Sequence, residues 1–182
     1  MAAVADITIR PARLEDAEAL KAILWDTFAS TWLPQLTDEA KATVEQEDRP
    51  AAYVGARGHL FTVAEVGGEV VGFVDWDGDF VNALHVLGRH ARAGVGRALM
   101  DHAEAAMAAA GFVAARLETD TFNTRSQAFY AARGYREAGR YPDEEWNSGL
   151  TTILLVKTLA GGWGNGGTAY SFPLGPLPSR RK

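Results

Sequence analysis

Cysteine is missing from all 182 residues, which excludes disulfides, thiolate zinc sites and a cysteine nucleophile while permitting a reducing compartment. No apolar run approaches about 18 residues, so nothing reads as a membrane-spanning helix. The N-terminus lacks the basic-then-apolar pattern of a signal peptide, which leaves the cytoplasm as the expected location. Positive charge is also short. Eighteen Lys and Arg face 23 Asp and Glu, a net charge of −5, which argues against nucleic acid as a partner. The single basic cluster, Arg180-Arg181-Lys182, reads as a solvated end. His59, His90 and His102 have no metal-ligand spacing among themselves, so no metal is expected.

Hydrophobic residues at 47% and charged residues at 23% are average for a globular domain, and the length suits one domain with a buried core. Residues 7–10 alternate and end at Pro11, as a first strand would. Leu14, Ala17, Leu20, Ile23, Leu24, Trp25 and Phe28 mark a helix, with Glu15 and Asp16 in its first turn. Residues 29–34 read as an aromatic-bearing break, followed by a second helix from Thr37 to about Asp48, ahead of Pro50. Residues 60–66 and 69–76 form a hairpin around Gly67-Gly68. A turn at 77–79 leads into a strand over 81–87, apolar enough to be covered on both faces. A helix then runs to Gly111, followed by a strand over 113–119, a short helix over 124–133 and a last strand at 153–156. That order gives a mixed α/β domain over residues 1–160. Beyond it, 161–182 is a Gly/Pro-rich tail with little structure of its own.

Two segments carry chemistry. In the first, the strand over 81–87 turns through Arg92-Ala93-Gly94-Val95-Gly96-Arg97 into a helix whose expected stripe is Val95, Leu99, His102, Ala103, Ala106 and Ala110. A helix start leaves backbone N–H groups without partners and carries partial positive charge. Gly94 and Gly96 let a ligand approach the chain, and Arg92 and Arg97 add charge, which suits phosphate oxygens. A plain strand-to-helix turn would use the same glycines. A Walker loop is absent, and Leu99 stands where a dinucleotide fingerprint needs Gly or Ala. In the second segment Asn123 is a good N-cap, and Tyr130 lies two turns on along the same face. Beside a phosphate-binding corner, that tyrosine is a candidate proton donor to a leaving group.

Together these segments resemble the GNAT superfamily of N-acetyltransferases, which transfer acetyl from acetyl-CoA to an amine. The pattern Gln/Arg-x-x-Gly-x-Gly/Ala falls at residues 91–96. Asn-x-x-Ser/Ala-x-x-Phe-Tyr-x-x-x-Gly-Phe/Tyr falls at 123–135. The element order matches from about residue 7 to 158. Ala91 departs from the pattern, standing where the family usually has Gln or Arg. The resemblance implies the acyl-CoA N-acyltransferase fold, a mixed central sheet with helices on both faces. It also implies that the strands holding Val86 and Leu117 splay apart to admit pantetheine.

On the same resemblance, Leu84, His85 and Val86 would offer backbone groups to pantetheine and the thioester. The N–H groups of Arg92, Ala93, Gly94, Val95, Gly96 and Arg97 would hold the pyrophosphate. Asn123, Ser126 and Phe129 would line the coenzyme, and Tyr130 would protonate the CoA thiolate. The acceptor amine must be neutral to attack. His85 is a candidate base and Asn82 a candidate for orienting amine or water, with Asp77, Asp79 and Glu118 as further candidates. Phe28, Trp32 and Trp76, with residues 141–146, are candidate acceptor-pocket residues. Asp143-Glu144-Glu145 reads as a solvated charge run. A polyamine, an antibiotic, an amino acid or a protein N-terminus would each suit as acceptor, and the resemblance also allows a homodimer. The rival readings are a non-catalytic acyl-CoA sensor on the same fold and an interaction protein that has lost its cofactor.

Overall fold

The computed structural model describes residues 6–38, 41, 48–142 and 149–159. Seven strands form one sheet: β1 (Ile7–Pro11), β2 (Thr62–Val66), β3 (Glu69–Asp77), β4 (Phe80–Val86), β5 (Ala114–Asp120), β6 (Arg136–Pro142) and β7 (Thr151–Thr158). Their order is β1-β2-β3-β4-β5-β7-β6. The β4–β5 pair is parallel and the rest are antiparallel. The helices are α1 (Ala17–Thr31), α2 (Arg49–Arg57), α3 (Val95–Ala109) and α4 (Thr124–Ala132).

Strand alternation assigns these helices to faces. On β4, His85 meets Thr27 of α1, whereas its neighbour Val86 approaches Gly96 of α3. On β3, Asp75 takes Arg57 and Tyr53 of α2, while Gly72 gives room to Val95 of α3. The α1 and α2 helices therefore cover one face, and α3 and α4 the other. The core fills both sides of the central strands. Leu20, Ile23 and the stacked pair Phe61–Phe73 lie on the α1 side, and Val95, Leu99, Met100, Ala103 and Met107 on the α3 side.

The sequence reading is corrected at several points. Leu14 belongs to a 3-10 turn and is 94% exposed, so the buried stripe of α1 starts later, at Leu20, Ile23 and Leu24. Residues 29–31 continue α1 instead of breaking it. Pro50 sits in the first turn of a further helix, α2, which the sequence reading did not include; its missing N–H has no intrahelical partner to lose there. Most of the helix expected over 37–48 falls outside the described residues. On α3 the buried set includes Met100, Glu104 and Met107, while His102 and Ala110 face solvent. The strand β6 was not expected at all. Its residues are mostly exposed, so the hydrophobic alternation that would announce a strand is missing at this edge. The tail over 161–182 and the charge run at 143–145 also lie outside the described residues.

Candidate active site

The sheet opens at its one parallel pair. β4 and β5 are in register only at Phe80–Arg116 and Val81–Leu117. The next residue, Asn82, has no opposite number on β3, because the register passes from Trp76–Val81 to Asp75–Ala83. This bulge bends β4 where it parts from β5. Beyond it, the Leu87 N–H donates to Val71 O at 2.9 Å. Antiparallel pairing alternates, so residues 83, 85 and 87 bond toward β3. The backbone N–H and C=O of Leu84 and Val86 turn to the edge that β5 has left. The His85 backbone is committed to β3, which corrects the expectation that all three residues offer main-chain groups to the gap.

The corner after β4 is held from below by Asp26 of α1, whose carboxylate accepts from the Gly88 N–H at 2.8 Å. Arg92 and Gly94 both take left-handed backbone, with φ of 64° and 88°. Gly94 is the N-cap of α3, and no side chain caps that end. The first N–H groups of a helix have no intrahelical acceptor, so those of Val95, Gly96 and Arg97 present an anion-binding start. Arg92, Ala93 and Arg97 are exposed around it. A Cβ on Gly96 would lie 3.6 Å from the Phe129 ring and 3.8 Å from Val86 Cγ2. That glycine therefore faces the inner space between β4, α3 and α4, and not the corner's outer rim.

The second segment seats α4 on the far side of the same space. Asn123 Oδ1 accepts from the Ser126 N–H at 3.0 Å, the N-cap expected from the sequence. Thr119 on β5 donates to Ser126 Oγ at 2.9 Å, and Gln127 Nε2 donates to the carbonyls of Asp120 and Thr121. These bonds fix the start of α4 to the end of β5. The Tyr130 ring is buried edge-on between Phe129 and Tyr135, at centroid distances of 5.1 and 5.5 Å. Burial raises the Tyr130 phenol above its ordinary range; Arg133 opposes that rise and Glu104 adds to it. The phenol is therefore protonated at neutral pH. Its hydroxyl bonds to no group among the described residues, although its neighbour Tyr135 donates to Glu104 at 3.0 Å.

Opposite, on the α1 face, stands His85. Thr27 Oγ1 lies 2.7 Å from its Nδ1, with the Phe73 ring 5.3 Å away and the Trp32 indole 6.2 Å away. Burial pushes the imidazole down to about 4, so it is neutral near pH 7. The Trp32 Nε1–H donates to Asp120 Oδ2 at 2.8 Å. Glu118, on the same face of β5 as Asp120, accepts from the Tyr141 hydroxyl. Of the expected acceptor residues, Trp32 lies beside His85, and half-buried Phe28 packs against Trp25 one turn earlier on α1. Trp76 does not join them. Alternation sends it to the other face, where it meets His102 of α3. Asn82 is exposed at the bulge, and Asp79 is engaged in a two-pronged pair with Arg116.

Sequence reasoning missed Thr27 and Asp120. Thr27 could have been found as the first polar residue continuing the Leu20, Ile23, Leu24 stripe of α1. No helix among the described residues is long and apolar enough to cross a membrane. No group of three or more His, Asp or Glu among them could hold a metal ion.

Comparison with known proteins agrees with this architecture. Residues 17–135 match the Acetyltransferase (GNAT) family. The blasticidin-S acetyltransferase of Streptomyces morookaense is 38% identical over 96 residues, covering 52% of this chain and 68% of that protein. In three dimensions the chain is similar to a GCN5-related N-acetyltransferase from Rhodopseudomonas palustris, with a TM-score of 0.69 and 24% identity over 84% of this chain and 95% of that one. It is also similar to a PaiA N-acetyltransferase from Thermoplasma acidophilum in complex with coenzyme A, at a TM-score of 0.65 and 18% identity over 84% and 99%. The two structures bear on the fold alone. The match across most of the domain, and the curated relative within it, carry the activity. The chain belongs to the acetyltransferase (GNAT) family and is an acyltransferase enzyme.

Proposed function

We propose that the protein transfers the acetyl group of acetyl-CoA directly to a primary amine, with the two substrates meeting at the wedge between β4 and β5. The observation that carries this reading is the loss of β4–β5 register after Val81–Leu117, which frees the main-chain groups of Leu84 and Val86. A donor chain lying there would bond to them as an added strand. Its diphosphate would sit on the uncapped start of α3, from Arg92 to Arg97. Asn123, Ser126 and Phe129 would flank it from α4. The residues present fit the coenzyme, since Gly96 keeps the space beside Phe129 and Val86 open.

When bound, acetyl-CoA supplies an activated thioester carbonyl. The amine nitrogen forms the new C–N bond as the C–S bond breaks and its electron pair passes to sulfur. Tyr130, protonated and without a hydrogen-bond partner among the described residues, donates its proton to that sulfur. The amine's surplus proton leaves on the opposite face of β4, where His85 and Trp32 stand. A base at about 4 is too weak to strip a free ammonium, so the acceptor enters already neutral or loses its first proton to water. The expected pocket shrinks to the Trp32 side, without Trp76.

Release of CoA thiol from acetyl-CoA, followed across a panel of amines that includes blasticidin S, tests the reading. Amine-dependent release is the expected result. CoA binding with no release for any amine would favour the acyl-CoA sensor instead.

A further inference from the structure

Thr27 holds the most informative polar contact outside the residues assigned so far. Its Oγ1 is 3.0 Å from Ile23 O and 3.1 Å from Leu24 O, as well as 2.7 Å from His85 Nδ1. A threonine hydroxyl has one proton and two lone pairs. The two carbonyls can only accept, so that proton must lie toward them; otherwise oxygen lone pairs would face each other at 3.0 Å. His85 Nδ1 must then be the donor. A neutral imidazole carries one N–H, so Nε2 is left as a bare acceptor. No group among the described residues bonds to Nε2. No side-chain nitrogen or oxygen among them is both fully enclosed and unpartnered, so Nε2 opens to accessible space.

We propose that Thr27 is a positioning residue for acetyl transfer: it fixes the His85 tautomer so that Nε2 accepts the N–H of the incoming amine and aims the nitrogen lone pair at the thioester. This rests on the reading that the acceptor meets the β4 wedge from the α1 face, beside Trp32. As the C–N bond forms, the nitrogen becomes positively charged and strongly acidic. Nε2 then takes its proton and passes it to water. The opposite tautomer would present an N–H that donates to the amine's lone pair and ties up the electrons needed for attack.

The test reads the tautomer and the kinetics separately, on the full chain. Nitrogen-15 NMR of labelled histidine should find the His85 proton on Nδ1 in the wild type. Thr27→Val, of the same shape but without the hydroxyl, should move it to Nε2, and Thr27→Ser should return it. With an amine that the wild type acetylates, Thr27→Val should lower kcat/KM for the amine about tenfold, the worth of one aligned hydrogen bond. The KM for acetyl-CoA should stay unchanged, and Thr27→Ser should recover most of the loss. A wild-type proton on Nε2 overturns the proposal, even if the valine variant fails to fold. So does a valine variant whose tautomer shifts while its amine kinetics do not. If the wild type releases thiol with no amine at all, the functional reading fails, while the NMR result still stands for or against the Thr27–His85 contact.

Discussion

Trp32 at the end of α1 donates its indole N–H to Asp120 at the end of β5, 2.8 Å away and 88 residues along the chain. The same ring lies 6.2 Å from His85 on β4. One side chain thus touches both strands that the wedge separates. Trp32→Phe keeps a ring but removes the N–H, and should cost about 1 kcal/mol in urea unfolding. If the acceptor enters here, the amine KM should also rise while the acetyl-CoA KM holds. An unchanged amine KM would move the acceptor elsewhere.

Tyr130→Phe separates chemistry from packing. The hydroxyl has no partner among the described residues, and the ring contacts with Phe129 and Tyr135 survive the change. Thermal stability and CoA affinity should therefore stay close to wild type. Loss of the proton donor should lower kcat by about a hundredfold or more. A large fall in Tm with an intact kcat would make Tyr130 a packing residue.

His85 makes a pH prediction. Its folded value of about 4 lies below the ordinary 6.5, so between those values the unfolded chain takes up a proton that the folded chain refuses. Stability should be full above about pH 6.5, fall as pH drops toward 4, and fall no further from this group below that. The whole effect amounts to about 3 kcal/mol. A His85→Asn variant should flatten that limb of the stability curve. The wild-type imidazole should keep its neutral NMR shifts at pH 5, and protonation near 6.5 would contradict the burial described above.

The two glycines of the corner should behave differently. Gly94 sits at φ 88°, so Gly94→Ala forces a side chain into left-handed backbone and should cost about 1 kcal/mol. At Gly96 a Cβ would make ordinary contacts, at 3.6 Å and beyond. Gly96→Ala should leave stability level or raise it, yet narrow the space beside Phe129 and weaken CoA. Calorimetry with CoA, alongside thermal melts of both variants, reads the two effects apart. Equal CoA affinity in Gly96→Ala and wild type would place the coenzyme outside that space.

Much of this was legible because local rules fixed it. The Gly67-Gly68 hairpin, the Asn123 cap and the helix stops at Gly111 and Gly134 depend on backbone conformation near the residues themselves. The resemblance built on residues 91–96 and 123–135 then gave the fold and the expected divergence of the strands. Helix α2 escaped because a proline both ends helices and begins them, and only its neighbours decide which. Edge strand β6 escaped because strand patterns are written by burial, and an edge exposed to water needs little of it.

The sequence by itself determined the Gly67-Gly68 hairpin, the glycine turn into α3 and the Asn123 cap of α4, since each follows from residue types close together along the chain. Only the tertiary structure decided which face each strand residue takes. That choice turned on the bulge at Asn82, which sets the register of every later residue of β4. It gave His85 to Thr27, whereas alternation along β3 sent Trp76 to α3 and the packing of α1 brought Trp32 within reach of Asp120. Contacts between residues far apart in sequence depend on how sheets register and helices pack, and no local pattern encodes that.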